Sequence, residues 1–147
     1  MRYMVDQRGF TLVEALLSVA IIGLLVGMSL PIYQSFQTRN DLDITTQSVA
    51  DMLRRAQTYA RGVSGDSQWG VAIQSGAATL FKGASFAARD AAYDEATIIP
   101  STTNVSGVSE VLFSKLAGAP STTGSITLTS SNDTRVVTIN AKGMVSY

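Results

Sequence analysis

Residues 9–27 read Gly9-Phe10-Thr11-Leu12-Val13-Glu14-Ala15-Leu16-Leu17-Ser18-Val19-Ala20-Ile21-Ile22-Gly23-Leu24-Leu25-Val26-Gly27. Apart from Glu14, no charged side chain occurs between Gly9 and Thr38, and the next is Arg39. As a helix, 10–31 would reach roughly 33 Å, against a hydrocarbon core of about 30 Å. A secretory signal has an apolar core of about 7–15 residues followed by a small-residue cleavage site. This run is longer and no such site follows, so the expectation is a membrane-spanning helix over 10–33. A carboxylate deep in a bilayer costs about 2.5–3.5 kcal/mol on insertion scales. Glu14 therefore needs a reason. A lone acid near one end of a span can reach back to the lipid head groups.

Beyond this run the chain is long enough for one domain with its own core. The whole sequence has 147 residues, with 11 Lys+Arg balancing 11 Asp+Glu, no His and no Cys. Disulfides, thiol chemistry, Cys/His metal sites and histidine-based triads are excluded, and no catalytic or metal residue is assigned. Net neutrality argues against a nucleic-acid partner, and no cofactor is implied. Arg2 and Arg8 outweigh Asp6 in the leader 1–9. By the positive-inside tendency the leader is cytoplasmic and the C-terminal part lies outside.

Over 42–63, Val49, Met52, Leu53, Ala56, Ala60 and Val63 recur at three- and four-residue spacing, with polar residues mostly between them. This is an amphipathic continuation of the same helix, assigned to 34–64, ending at Gly62 or Gly65. Gly23, Gly27 and Pro31 are its weak points, where proline removes a backbone bond and either kinks or melts the turn. Gly23 and Gly27 also form a G-x-x-x-G spacing.

After Gly65 the period becomes two, giving a β-rich head over 65–147. Strands are expected at 69–74, 79–82 and 110–114. A hairpin of 125–129 with 135–139 follows, then a turn at 141–143 and a last strand at 144–147. Residues 83–103 show no period and read as a surface excursion. The alternation in the hairpin predicts sheets covered on one face, with the helix stripe as cover. Asp90, Asp94 and Glu95 form either a solvated acidic loop or a cation site. Arg54-Arg55 reads as a solvated helix face and Trp69 as a packing residue. The fold class is α+β: a long N-terminal helix packed on antiparallel sheet.

Gly9-Phe10-Thr11-Leu12-Val13-Glu14, after a short basic leader and before an apolar run with Pro31, closely resembles the signal of type IV prepilins and pseudopilins. The strand, glycine-loop and hairpin order from Val111 to Val145 is similar to that of GspH/FimT-like minor pilins. The resemblance implies a type IV pilin-like fold and cleavage between Gly9 and Phe10 by a prepilin peptidase. It also implies N-methylation of Phe10 and a charge pair between Glu14 and the Phe10 amine of a neighbouring subunit. The implied partners are the peptidase, other pilins or pseudopilins, an inner-membrane assembly platform and, before assembly, membrane lipid. The implied location is a single-pass inner-membrane protein that later joins an extracytoplasmic filament. Some DNA-uptake members carry Gly-Arg-x-Arg near the C-terminus, where this chain reads Lys142-Gly143-Met144-Val145. The function this suggests is a minor pilin that initiates or caps a pilus or secretion-type filament. An anchored binding module for DNA uptake or adhesion, and a major pilin, are the alternatives. An anchored enzyme is the weakest, since no nucleophile–base pair is visible.

Overall fold

A computed structural model describes residues 9–131 and 133–147, with the side chains of 28–32 outside that description. The leader residues 1–8 also lie outside it. The chain divides after Gln37 into an N-terminal unit and a second unit, Thr38–Tyr147. One helix, α1 (Leu12–Arg61), contributes to both.

In the second unit the expected stripe is in place. Val49, Met52, Leu53, Ala56 and Ala60 are buried, joined by Leu42 and Ala50. Thr45 and Thr46 are buried too, and each returns its hydroxyl to the carbonyl four residues back at 2.7 Å, so no polar group is stranded. Val63 lies beyond the helix, half-buried, with φ 54°. The last helical bond runs from Gly62 N to Thr58 O, and the Ala60 carbonyl is taken by the N–H of Leu116. The helix thus ends at the first of the two expected glycines.

Eight strands follow: β1 (Trp69–Gln74), β2 (Ala77–Gly83), β3 (Arg89–Ile98), β4 (Thr103–Gly107), β5 (Glu110–Phe113), β6 (Gly124–Ser130), β7 (Asp133–Ile139) and β8 (Val145–Ser146). They form two antiparallel sheets, ordered β3-β2-β1-β5 and β4-β6-β7-β8. The α+β reading holds, as do β1, β5, the β6–β7 hairpin, the turn before β8 and the closing strand. The expected excursion at 83–103 is corrected: it contains β3 and the first residue of β4. β3 is an edge strand rich in Ala, Asp and Glu and mostly exposed. With one neighbour and little to bury, it leaves no period-two signature.

One core takes side chains from both sheets. Val71, Ile73, Leu80, Val111 and Phe113 face the helix stripe from the first sheet, and Ile126, Leu128, Val137, Ile139 and Val145 from the second. Burying each large apolar side chain is worth about 1.5–3 kcal/mol. The expectation of one covered face per sheet fails for the first sheet, where Gly70, Ala72 and Phe81 on the other side are also buried. There the 84–88 segment folds back. Phe86 meets Phe81 edge-on at 5.7 Å, its N–H bonds Glu110 at 3.0 Å, and the Arg89 guanidinium lies over its ring at 3.9 Å.

Polar side chains fix the helix against both sheets. Arg39 and Asp43, four apart on the helix, pair with Asp133 at 2.9 Å and Arg135 at 2.7 Å, two apart on β7. Four helical residues rise about 6 Å and two strand residues about 6.8 Å, so the two ladders match. Arg54 pairs with Asp51 and donates to the Val145 carbonyl of β8 at 3.2 Å. Arg55 donates to Glu95 of β3 at 2.8 Å. Gln57 donates to the carbonyls of Gly118 at 2.9 Å and Lys142 at 3.0 Å. The two arginines are thus half-exposed ties and not simply a solvated face. Lys115 pairs with Asp66, and its hydrogen bond holds the Asp66 carboxyl below the usual aspartate range. The turn that ends in β8 is organised by Asn140, whose side-chain oxygen accepts from Lys142 N and Met144 N, both at 2.9 Å.

The chain passes between the two sheets three times, and the shortest passage is from β4 to β5. Gly107 ends β4, and β5 begins three residues later. Between them Val108 N bonds Ser125 O at 3.2 Å on the second sheet, while Ser109 O accepts from Ile73 N at 2.7 Å on the first. Gly107 has φ +98°, and a Cβ there would lie 2.2 Å from the Ser125 carbonyl oxygen. Gly76, in the β1–β2 turn, has φ +93° but open space around it. Gly76→Ala should therefore cost only backbone strain, about 1–2 kcal/mol, and Gly107→Ala at least about 3 kcal/mol. Urea unfolding of the two variants measures the difference. The charge ladder makes a second expectation. Asp43→Arg should destabilise by about 0.5–1 kcal/mol, and adding Arg135→Asp should restore most of it, because exposed pairs are worth this little. A double-mutant cycle by thermal melting gives the coupling.

Candidate processing and assembly site

The apolar half begins with a capped turn. Thr11 precedes the first helical residue, and its Oγ1 accepts from the Glu14 N–H at 3.2 Å, while Ala15 N bonds Thr11 O at 3.1 Å. Thr11-x-x-Glu14 is thus a capping-box spacing with the threonine half formed. Sequence reading treated Glu14 only as a charge; the three-residue spacing from Thr11 was the available signal for the cap. The Ser18 hydroxyl donates to the Glu14 carbonyl at 2.7 Å. The Glu14 carboxylate itself has no hydrogen-bond or ion-pair partner among the described residues. Its place in the first helical turn is favourable for an acid, since the N-terminal end of a helix carries positive partial charge.

The junction is open. Gly9 has no atom within 4 Å of where a side chain would start, and Phe10 is 83% exposed. Among the described residues, no side chain stands over the 9–10 peptide bond. Phe10 and Glu14 are brought to one end of the helix within one another's first turn, as their spacing requires.

The apolar surface that follows is uncovered. Leu12, Val13, Leu16, Leu17, Val19, Ile22, Leu24, Leu25 and Val26 are all more than half exposed. A helix that is hydrophobic on every side is stable only when surrounded by lipid or by other apolar helices. Gly23 and Gly27 have nothing within 4 Å. Helical backbone continues across Pro31, whose side chain lies outside the described residues. Among the described residues no helix is long and apolar enough to cross a membrane; the expected span 10–33 takes in 28–32, which fall outside them.

The acidic cluster does not assemble into a cation site. Asp94 is held by Arg89 at 2.7 Å, Glu95 by Arg55, and Asp90 accepts from Ala92 N at 3.2 Å. No group of acids or other ligands able to hold a metal occurs among the described residues.

Comparison with known proteins converges on the same N-terminal segment. Neither a curated protein nor a solved structure matches the chain. The family model of the prokaryotic N-terminal methylation motif, the type IV pilin signal, matches residues 4–30.

Proposed function

We propose that the protein is a structural subunit of a type IV pilus or related secretion-type filament, cut between Gly9 and Phe10 by a prepilin peptidase and methylated on the new Phe10 amine. The observation that carries this is the methylation motif at 4–30, joined to a helix whose apolar surface is left bare. An α+β head behind that helix is consistent with a pilin-like subunit. The resemblance of the Val111–Val145 order to GspH/FimT-like chains favours a minor subunit that starts or caps the filament. Before assembly the apolar half resides in the inner membrane with the head outside; afterwards it packs against the same half of other pilins. Gly23, Gly27 and Pro31 are where it yields as neighbours close in.

In this reading Glu14 meets the Phe10 amine of the next subunit. Each charge is costly alone in an apolar surrounding, and together they compensate, so the pair favours the correct stagger of one helix on the next. The carboxylate, without a partner among the described residues, is available for that contact.

Processing is checked by intact mass of membrane-extracted protein. The expected species begins at Phe10 and carries one methyl group; a chain still beginning at Met1 in cells with an active peptidase counts against the proposal. Assembly is checked with Glu14→Leu. Insertion and cleavage should persist, since the segment becomes more apolar and the cut site is untouched. Recovery in sheared filaments, or co-purification with partner pilins, should fall more than a hundredfold. An unpaired buried charge costs about 3–5 kcal/mol. Undiminished recovery would sink the charge-pair mechanism.

A further inference from the structure

The second unit holds a cleft of about 390 Å³, lined by Tyr59, Ser64, Trp69, Tyr93, Asp94 and Glu95 among others, within the range of about 300–1,000 Å³ typical of small-molecule sites. A local irregularity builds it. β2 and β3 pair Leu80 with Glu95 and Lys82 with Asp90. Two steps on β2 thus face five on β3, and the three extra residues bulge outward. Bulges of this kind re-aim side chains and are over-represented beside functional sites. This one carries Tyr93 and Asp94.

Three aromatic rings form the walls. Trp69 lies 4.8 Å from Tyr59 at 56° and 6.1 Å from Tyr93 at 83°. Its indole N–H donates to the Ser64 carbonyl at 2.8 Å, which fixes the ring. The charges at the rim cancel in pairs, Arg55 with Glu95 and Arg89 with Asp94. Lys82 places its ammonium 4.2 Å from the Tyr93 centroid. Asp94 Oδ1 is shielded from solvent and has no hydrogen-bond partner among the described residues.

These features discriminate among ligands. A cation would meet the Lys82 ammonium beside Tyr93 and the nearby guanidinium groups of Arg55 and Arg89. An anion would meet the two carboxylates. A neutral ligand with apolar faces and many hydroxyls suits all of them. Its C–H faces lie against the exposed parts of Tyr59 and Tyr93, with Trp69 holding both rings from behind, while its hydroxyls meet Ser64, the tyrosine hydroxyls and the Asp94 and Glu95 carboxylates. We propose that this cleft binds a short neutral saccharide. Asp94 and Glu95 line the cleft beside Ser64, and a sugar hydroxyl meets these groups directly or through one bridging water. The residues involved lie between 55 and 95, apart from the processing and assembly residues, so this proposal and the filament reading fail independently.

Trp69 is the sole tryptophan, so the tryptophan emission comes from the wall of the cleft. The test titrates the full-length chain, in a zwitterionic detergent without a sugar head group, with cellobiose, maltose and N,N′-diacetylchitobiose. Sialyllactose and tetramethylammonium serve as the anionic and cationic comparisons. A saturable shift of Trp69 emission with at least one neutral disaccharide is expected, weakened about tenfold or more by Tyr93→Ala and by Asp94→Asn. No saturable shift with any neutral sugar overturns the proposal, as does tighter binding of sialyllactose or tetramethylammonium, or full affinity in both variants. Should either variant lose the circular dichroism of the wild type, saturation-transfer NMR on the wild-type chain decides. Transfer from protein to the ring C–H protons of the bound sugar supports the cleft, and its absence overturns it.

Discussion

The fold depends on one shared surface: a single buried stripe on the helix, from Leu42 to Ala60, that serves two sheets at once. Each sheet is four strands wide, and each presents an apolar face that would otherwise be wet. The helix covers both, so its side chains are divided between two clients. Its apolar positions enter a common core. Its polar neighbours reach sideways, Arg55 to the first sheet and Arg54 to the second, while Gln57 holds a loop from each. Isolated pairs of this kind contribute little energy. Their value is in orientation, and the match between helical and strand rise along Arg39–Asp133 and Asp43–Arg135 shows how register is set.

Towards its N-terminus the same helix obeys a different rule. Residues 10–27 keep no polar side and bury nothing. Their surface is compatible with lipid or with copies of itself, and the single acid near the start carries no partner among the described residues. On the function proposed above, the subunit would meet both environments in turn. The cap from Thr11 keeps the first turn helical in either, because it satisfies a backbone donor that neither hydrocarbon nor a packed apolar interface can satisfy.

What was legible in the sequence follows from burial. Ile126, Leu128, Val137 and Ile139 alternate with threonine and serine because one side of their sheet is wet, and the hairpin could be read directly. β3 could not: Asp90, Ala91, Ala92, Asp94 and Glu95 have neither alternation nor strand propensity, and only pairing with β2 makes them a strand. The back face of the first sheet was equally hidden. Gly70 looks like a weak strand residue until the Phe81 ring, itself packed on Phe86, is seen to occupy the space it leaves. The N-terminal site was the most legible part, since its information lies in contiguous residues. The aromatic cleft was the least. Trp69 reads as packing, Tyr93 lies in what looked like loop, and a three-residue register shift that brings them together has no local signature.

The crossing at Val108 and Ser109 governs how such a chain can acquire its structure. β1, β2 and β3 form a local meander, yet the open edge of β1 is completed only by β5, and the chain reaches β5 only after laying β4 into the other sheet. β4 in turn pairs with β6, which is made later still. Neither layer can be finished before the other has begun. The contacts that close them span long stretches of chain, which slows folding and makes it cooperative. The interlock means that the second unit matures as a whole, after its last strands are available, and comes apart as a whole when it is lost.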